Sequence, residues 1–440
     1  MKIAVISDIH ANLPALDAVL RDIVRQKPDD VWHLGDFTGY GPFPDQTVRR
    51  IKAAGIKSII GNYDLKVLDF SKRKSLWKKI KDPSKFFSFQ WTASRLSPDS
   101  KAFLRGLRVT RPLTAGGKTF LLTHGSPAGI DDPLTAETPR ARFRELALQT
   151  GADVVLCGHT HRFFRVKSED VLFINPGSVG RPFDGDPRAS YAIVEVRGQR
   201  LTVVHRRVRY PVRETLKAMK KAGFPEDVIR SIASGKSLDQ VHAEDAARQE
   251  RAVVSHALAF ARRCRYDKDH SHQVTRLALR LFDELKELHG FGNQEKKLLH
   301  AAGLLHDIGW AQGRAGHHKA AMEMIIRSSR LPLPKNELLI TALTARYHRR
   351  SLPEKNHPYF SSLSPEDQNT VRKLAALLRV ADGLDRQHVN SVKDLSCSFL
   401  PGRIVIRVAS KTFSPFEEEA ALKKGDLFRQ VFRKDLVIAA

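Results

Sequence analysis

"MKIAVISDIH", residues 1–10, decides how the first half of the chain reads. The run "KIAVI" has the length of one buried strand, and it passes straight into Ser7 and Asp8 without the layout of an export signal. Asp8 and His10 follow it. Further along, the arrangement recurs. "DVWHLGD" ends in Asp36, "KSIIGNYD" reaches Asn62, "TFLLTHG" reaches His124, and "DVVLCGHTH" reaches His159 and His161. With "VLFIN" and "YAIVEV", these apolar runs alternate with helix-like stretches through residues 1–206, which is α/β patterning. In such a sheet the C-terminal strand ends share one edge, where ligands bind. Asp8, His10, Asp36, Asn62, His124, His159 and His161 are therefore expected to converge on one crevice. Gly35, Gly61, Gly125 and Gly158 are expected to let the backbone turn sharply beside it.

This donor set is all nitrogen and oxygen, with no thiolate. It suits Mn²⁺, Fe or Zn²⁺ better than a soft metal. Seven side chains are too many for one ion. Two divalent ions sharing a carboxylate would fit, the pairing used for in-line attack at phosphorus.

At 440 residues, two or three domains are expected. Cys157, Cys264 and Cys397 lie far apart and form no CxxC pair, which argues against a disulfide framework and for a reducing compartment, the cytoplasm. No apolar run approaches a membrane span, and no membrane partner is expected. The net charge of +26 comes from both halves. It favours anionic partners such as nucleotides, polyphosphate or nucleic acid, or it serves solubility. No nucleic-acid motif accompanies it.

Residues 212–237 read as two amphipathic helices around "AGFP". The following polar stretch, "SGKSLDQVHAEDAARQE", lacks an apolar period and marks a boundary. The expected domains are 1–240 and 251–440, with 241–250 as a linker. The segment 71–89 holds seven Lys/Arg with Trp77, Phe86, Phe87 and Phe89 interleaved. It is either a basic, aromatic lid over a polyanion or a helix whose basic face is solvated and whose apolar face packs on the sheet.

Residues 1–235 resemble the calcineurin-like metallophosphoesterases, in particular the small bacterial phosphodiesterase group. The likeness rests on "DIHANLPAL", "LGDFTGYGPFP", "GNYD", "LLTHGSP", "CGHTHR" and "NPGSVGRPFDGDPRASYAI". It implies a β-sandwich flanked by helices. Asp8, His10, Asp36 and His161 would hold one metal, and Asp36, Asn62, His124 and His159 the other, with Asp36 bridging. A hydroxide between the ions would attack phosphorus. Asp36, Asn62, Tyr63, Asp64 and His124 would form the catalytic set, with Asp64 orienting its neighbours. Asn175, Gly177 and Ser178 would line the floor. Many relatives have His where Tyr63 stands, which bears on leaving-group preference.

The second half is helical from 251 to about 390. In "AAGLLHDIGW", 301–310, a carboxylate sits beside Leu304, Leu305 and Ile308 and needs compensation. "HSHQVTRLALRLFDEL" puts Val274, Leu277, Leu281 and Leu285 on one helical face, with His270 one turn earlier. "VRKLAALLRVADGLDR" aligns Val371, Leu374, Leu378 and Asp382. His270, His306, Asp307 and Asp382 would satisfy one another around one divalent metal. His272 lies off that face. The tail "DLSCSFLPGRIVIRVAS" reads as two strands about Pro401-Gly402, followed by a helix ending in "KKGDLFRQVF".

These segments, with "GHHKAA" and "LTARYHRRSLPEKNHPYF", resemble an HD domain of the kind that ends exopolyphosphatase and guanosine pentaphosphate phosphatases. The actin-like catalytic domains of that family are lacking. Related sequences often carry His where Ala320 stands, which weakens a second ion. His317, His318 and His348 remain candidates to contact phosphate or such an ion. The implied protein is a dinuclear phosphoesterase whose HD domain binds or hydrolyses polyphosphate or a phosphorylated nucleotide. The alternatives are a catalytically silent HD sensor that regulates the esterase, and a nuclease or nucleic-acid-binding protein. The residues leave the oligomeric state open, a dimer included.

Overall fold

Strand β1 (Lys2–Ile6) is apolar without interruption because both of its faces are covered. Ile3 and Val5 pack into one core, while Ala4 and Ile6 pack into another. The computed structural model describes residues 1–313, 315–410 and 412–439. The chain divides into two units, Met1–Ala243 and Glu244–Ala440.

The remaining strands of the first unit are β2 (Asp30–His33), β3 (Lys57–Ser58), β4 (Thr110–Ala115), β5 (Lys118–Thr123), β6 (Val154–Leu156), β7 (Phe163–Ser168), β8 (Val171–Pro176), β9 (Ala189–Arg197) and β10 (Arg200–Val208). They form two five-stranded sheets, in the orders β10-β9-β1-β2-β3 and β4-β5-β6-β8-β7. Trp32 and Leu34 of the first sheet meet Phe120, Leu122 and Leu156 of the second in a shared apolar core. Helix Leu13–Gln26 covers the outside of the first sheet through Leu16 and Val19, and helix Arg140–Gln149 covers the second through Phe143 and Leu146. The unit is an α/β sandwich flanked by helices. Within each sheet the site-bearing strands run parallel, β1 with β2 and β2 with β3, then β5 with β6. Their C-terminal ends therefore lie together, which places the residues after them at one edge.

Strands β4, β7 and β10 escape the sequence reading because they alternate exposed and covered positions and carry Arg, Lys and Pro. The segment 71–89 falls in helices Phe70–Ile80 and Pro83–Arg95. Their lysines at 72, 74, 78 and 79 are exposed, while Trp77 and Phe89 are buried with ring centroids 5.0 Å apart. This is the plainer of the two expectations, a solvated basic face over an apolar one.

The second unit is built from helices Lys268–Glu284, Asn293–Leu305, His317–Ile326, Lys335–Arg346 and Pro365–Gly383 around one core that includes Val274, Leu277, Leu281, Leu374 and Leu378. A small sheet of β11 (Asp394–Leu400), β12 (Arg403–Ala409) and β13 (Asp435–Ala439) completes it. The expected last helix is two, Pro415–Lys424 and Asp426–Phe432, broken at Gly425. The third strand, "DLVIA", was not foreseen.

The division between the two units falls within residues 241–250, which lie inside one helix, Leu238–Arg263, and are not irregular. The stretch is rich in Ala, Glu, Gln and Arg, which favour helix without any buried stripe. Missing periodicity here reports solvent exposure, not irregular backbone. Exposed Ala246 tests this directly. Ala246→Pro should cost about 3 kcal/mol or more and Ala246→Gly about 1 kcal/mol in chemical denaturation, with a loss of far-UV helical signal for the proline. An irregular linker would tolerate both.

Two candidate metal centres

The N-terminal centre is assembled on strained backbone. Asp8, His10, Asp36, His159 and His161 all have positive φ, between 48° and 67°. That conformation costs a non-glycine residue on the order of 1–3 kcal/mol, so it persists only where surrounding structure enforces it. Here it turns each side chain from the strand end into one buried volume. Gly35 joins this group at φ 94°. Gly61 and Gly158, expected as sharp turns, are needed instead for close approach. A Cβ on Gly61 would lie 2.1 Å from Asp36 Oδ1, and one on Gly158 2.1 Å from Ser7 Oγ.

Asp8, His10, Asp36 and His124 are fully or almost fully buried. His161 Nε2 lies 3.3 Å from Asp8 Oδ1, and His10 Nε2 lies 3.9 Å from the same oxygen. Asp36 Oδ2 is 3.6 Å from His10 Nε2 and 3.4 Å from His124 Nε2. Two overlapping groups result, Asp8–His10–His161 and Asp8–Asp36–His124. Asn62 Oδ1 is 3.2 Å from His124 Nε2. His159 stands off these groups. Its backbone N–H donates to Asp8 Oδ2, and its ring meets His124 edge to face at 5.3 Å.

Each of the three tight imidazoles is fixed by the main chain. His10 Nδ1 faces Thr38 O at 2.9 Å, His124 Nδ1 faces Leu34 O at 2.7 Å and His161 Nδ1 faces Arg181 O at 2.6 Å. A carbonyl only accepts, so each Nδ1 carries a hydrogen and each Nε2 is the atom turned inward, where it offers a lone pair when the ring is neutral. His10 Nε2 and His161 Nε2 then oppose each other at 3.1 Å, which is repulsive without a cation between them. Asp8 Oδ1 and Asp36 Oδ2 are buried with no hydrogen-bond partner among the described residues. Burial pushes His10 down to about 3, so it is neutral and free to ligate. Burial also acts against a charged His124, but Asp36 more than offsets it and lifts that imidazole to about 9. A volume that draws in positive charge and turns imidazole and carboxylate donors inward fits divalent metal.

Asp64, expected in the catalytic set as the residue that orients its neighbours, does not reach the cluster itself. Its carboxylate accepts from the N–H groups of Phe37, Thr38 and Gly61 and from Thr38 Oγ1, so it positions the Asp36 loop. Asn175 and Ser178 likewise buttress the loops and do not line the cavity. The Asn175 amide donates to Gly158 O, and Ser178 Oγ donates to Asp8 O. Tyr63 does face the cavity, with its hydroxyl 2.5 Å from Tyr40 OH and its ring stacked on Phe89.

The C-terminal centre repeats the design on helices. His270, His306 and Asp382 form one group, and Asp307, His317 and His348 a second. Asp307 lies between them. Its Oδ2 is 3.9 Å from His270 Nε2 and 3.7 Å from His306 Nε2, while its Oδ1 is 3.1 Å from His317 Nε2 and 3.4 Å from His348 Nε2. His306 and His348 turn Nδ1 to the carbonyls of Gly303 and Ala345, and His270 turns Nδ1 to Asp385 Oδ2 at 2.8 Å. The four expected donors, His270, His306, Asp307 and Asp382, are thus joined by His317 and His348. His318 belongs to neither group, and His272 is exposed against Tyr266 OH. Sequence reasoning missed Asp385, His388 stacked on His270 at 3.6 Å, and the Lys424 ammonium bound to Asp382 Oδ2. Asp385 was legible in principle, three residues after Asp382 and just past the helix end at Gly383. Lys424 was not, since only the tertiary fold brings it there.

A family model described as "Calcineurin-like phosphoesterase superfamily domain" matches residues 1–221, and one described as "Ppx/GppA phosphatase, domain III" matches 254–430. An uncharacterized protein of Methanocaldococcus jannaschii is 31% identical over 239 residues, covering 51% of this chain and 94% of that protein. A probable metallophosphoesterase of Methanothermobacter thermautotrophicus is 37% identical over 75 residues, 17% of this chain and 42% of that one. Among solved structures, a metallophosphoesterase from Sphaerobacter thermophilus has 33% identity and a TM-score of 0.45, covering 53% of this chain and 99% of its own. A hypothetical protein from Pyrococcus horikoshii has 22% identity and a TM-score of 0.50, covering 54% and 99%.

A metal that used Asp382 would compete with Lys424 for it. Lys424→Ala, placed in an Asp36→Ala background that disables the N-terminal centre, should tighten Mn²⁺ binding by roughly ten- to hundredfold in calorimetric titration, the worth of one charged hydrogen bond. Unchanged affinity would reject the competition.

Proposed function

We propose that this chain, which belongs to the calcineurin-like phosphoesterase superfamily, hydrolyses phosphomonoesters or phosphodiesters at the N-terminal centre and binds or hydrolyses polyphosphate or a phosphorylated nucleotide at the C-terminal one. The observation that carries the first half is the pair of buried, unpartnered carboxylate oxygens on Asp8 and Asp36, ringed by inward-facing Nε2 atoms. Asp8, His10, Asp36 and His161 would hold one divalent metal (Mn, Fe or Zn), and Asp36, Asn62, His124 and His159 the second, with Asp36 between them. Metal bound there would neutralise phosphoryl charge and lower the pKa of a water.

The chain's own groups do the rest. The carbonyls of Thr38, Leu34 and Arg181 keep the imidazoles in the ligating tautomer. Asp131 Oδ1 takes the Asn62 amide hydrogen at 2.5 Å and so turns Asn62 Oδ1 inward. Tyr63 replaces the histidine common at its position. Burial and the neighbouring Tyr40 hold its phenol well above the usual value, so at neutral pH it offers a hydrogen bond to a leaving oxygen and not a readily released proton.

In the second unit, a cavity of about 940 Å³ opens over the cluster, lined by Arg349, Arg350, Arg386, Lys423 and Lys424. That charge and size suit a polyanion of several phosphates. The HD reading of this unit rests on the His306-Asp307 pair and the groups around it. The Lys424–Asp382 contact favours a second reading, in which this site senses its ligand without turnover and regulates the esterase.

With Mn²⁺, the wild type should hydrolyse at least one of a generic monoester, a diester, polyphosphate or a guanosine polyphosphate, read as released phosphate, nucleotide or, for the diester, the freed alcohol. Asp36→Ala should lower kcat/KM for simple esters by about a thousandfold or more. If Asp307→Ala then removes a different substrate, the chain is bifunctional. If it removes none, the C-terminal site is regulatory. An Asp36→Ala protein with full ester activity would refute the N-terminal assignment.

A further inference from the structure

Two cations line the N-terminal cavity, Lys85 and Arg181; Lys85 lies 3.8 Å from Asp239, whereas Arg181 is buried and has no metal-holding role. It is 3% exposed, and its Nε has no hydrogen-bond partner. Among the described residues no carboxylate pairs with it. Its guanidinium carbon lies 3.5 Å from the Tyr40 ring centroid and 4.8 Å from that of Phe183, so the plane is clamped by aromatic faces. Nη2 donates to Ser231 Oγ at 3.2 Å, and Ser231 Oγ in turn donates to Lys236 O at 2.6 Å. A buried guanidinium without an anion is costly, and one held this rigidly is preorganised to receive one.

The cavity that Arg181 lines also holds Asp36, Tyr63, His159 and His161, so the guanidinium faces the same space as the metal-holding groups. It measures about 180 Å³. Ser237, Leu238 and Asp239 form part of its wall, and Leu238 packs in one apolar cluster with Tyr40 and Ile232. A space of that size accepts a phosphoryl group. A phosphomonoester carries about −1.5 to −2 at neutral pH, whereas a diester carries one charge, so a second fixed cation rewards the monoester.

We propose that Arg181 is the phosphate-anchoring residue of the N-terminal centre and that it selects phosphomonoesters over diesters. The inference rests on the phosphoesterase reading above and deepens it. No covalent role falls to Arg181. It binds the non-bridging oxygens and orients the phosphorus.

The test uses the full chain loaded with Mn²⁺, with 4-nitrophenyl phosphate as monoester, bis(4-nitrophenyl) phosphate as diester and inorganic phosphate as inhibitor. Arg181→Gln should raise the monoester KM and the phosphate inhibition constant together by roughly ten- to hundredfold, with diester KM moving less than about threefold. Bound metal and melting temperature should stay at wild-type values. Arg181→Lys should recover part of the loss. Unchanged constants in Arg181→Gln, or equal losses on both esters with loss of metal, would overturn the proposal. If Arg181→Gln does not fold, Arg181→Lys decides. It keeps the charge and loses the fork, so a severalfold rise confined to the monoester supports the anchor and no rise rejects it. If the wild type cleaves neither ester, the phosphoesterase reading fails. Calorimetric titration of inorganic phosphate then settles Arg181 separately, since binding that depends on it supports the anchor and binding that does not rejects it.

Discussion

Everything at the N-terminal edge depends on keeping two carboxylates ionised in a place where water does not reach. Asp8 is held well below the usual carboxylate range against full burial, chiefly by His161, and Asp36 is lowered by His124 and His10. That electrostatic bargain requires the imidazoles within 4 Å, and that in turn requires the left-handed backbone after each strand. Parallel strands supply the common edge, the strained residues aim the donors, and the glycines leave the carboxylates room. The sandwich core is the stiff support that makes such strain affordable.

The second unit gathers the same kinds of donor with no strand edge at all. Helix faces deliver His270 and Asp382, and the turn after Leu305 delivers His306 and Asp307. In both units imidazole Nε2 atoms and carboxylate oxygens point inward, and a positive group stands close by. In the first unit that group is Arg181, stacked and without a carboxylate. In the second it is Lys424, already seated on a ligand oxygen. The difference separates a centre open to an anion from one whose own cation must first give way.

The motifs were legible in the sequence because each is local: an apolar run, a short turn and a donor within a few residues. The five strands that carry site residues, the two apolar helix stripes and the residues named from them all come from such short windows. What lay outside the reading was set by distant contacts. Arg181 sits within a quoted motif, yet nothing in "GRPFDGDP" says that its side chain finds Tyr40 and Ser231. Lys424 meets Asp382 across 42 residues, and His317 joins Asp307 only because two helices pack. The helix through 241–250 escaped for another reason. An exposed helix has no apolar period to detect, and composition alone had to speak for it.

The Nδ1 anchors have a consequence for how the centres tolerate change. Five of the six anchored imidazoles lean on main-chain carbonyls, of Thr38, Leu34, Arg181, Gly303 and Ala345. A carbonyl survives any substitution of its own side chain. The scaffolding around these donors can therefore drift in sequence while the ring orientations persist, and descendants of this fold could look dissimilar beside an intact centre. His270 is the exception, because it leans on the Asp385 side chain. There a single codon change can unseat a donor, which makes that position the C-terminal centre's point of mutational fragility.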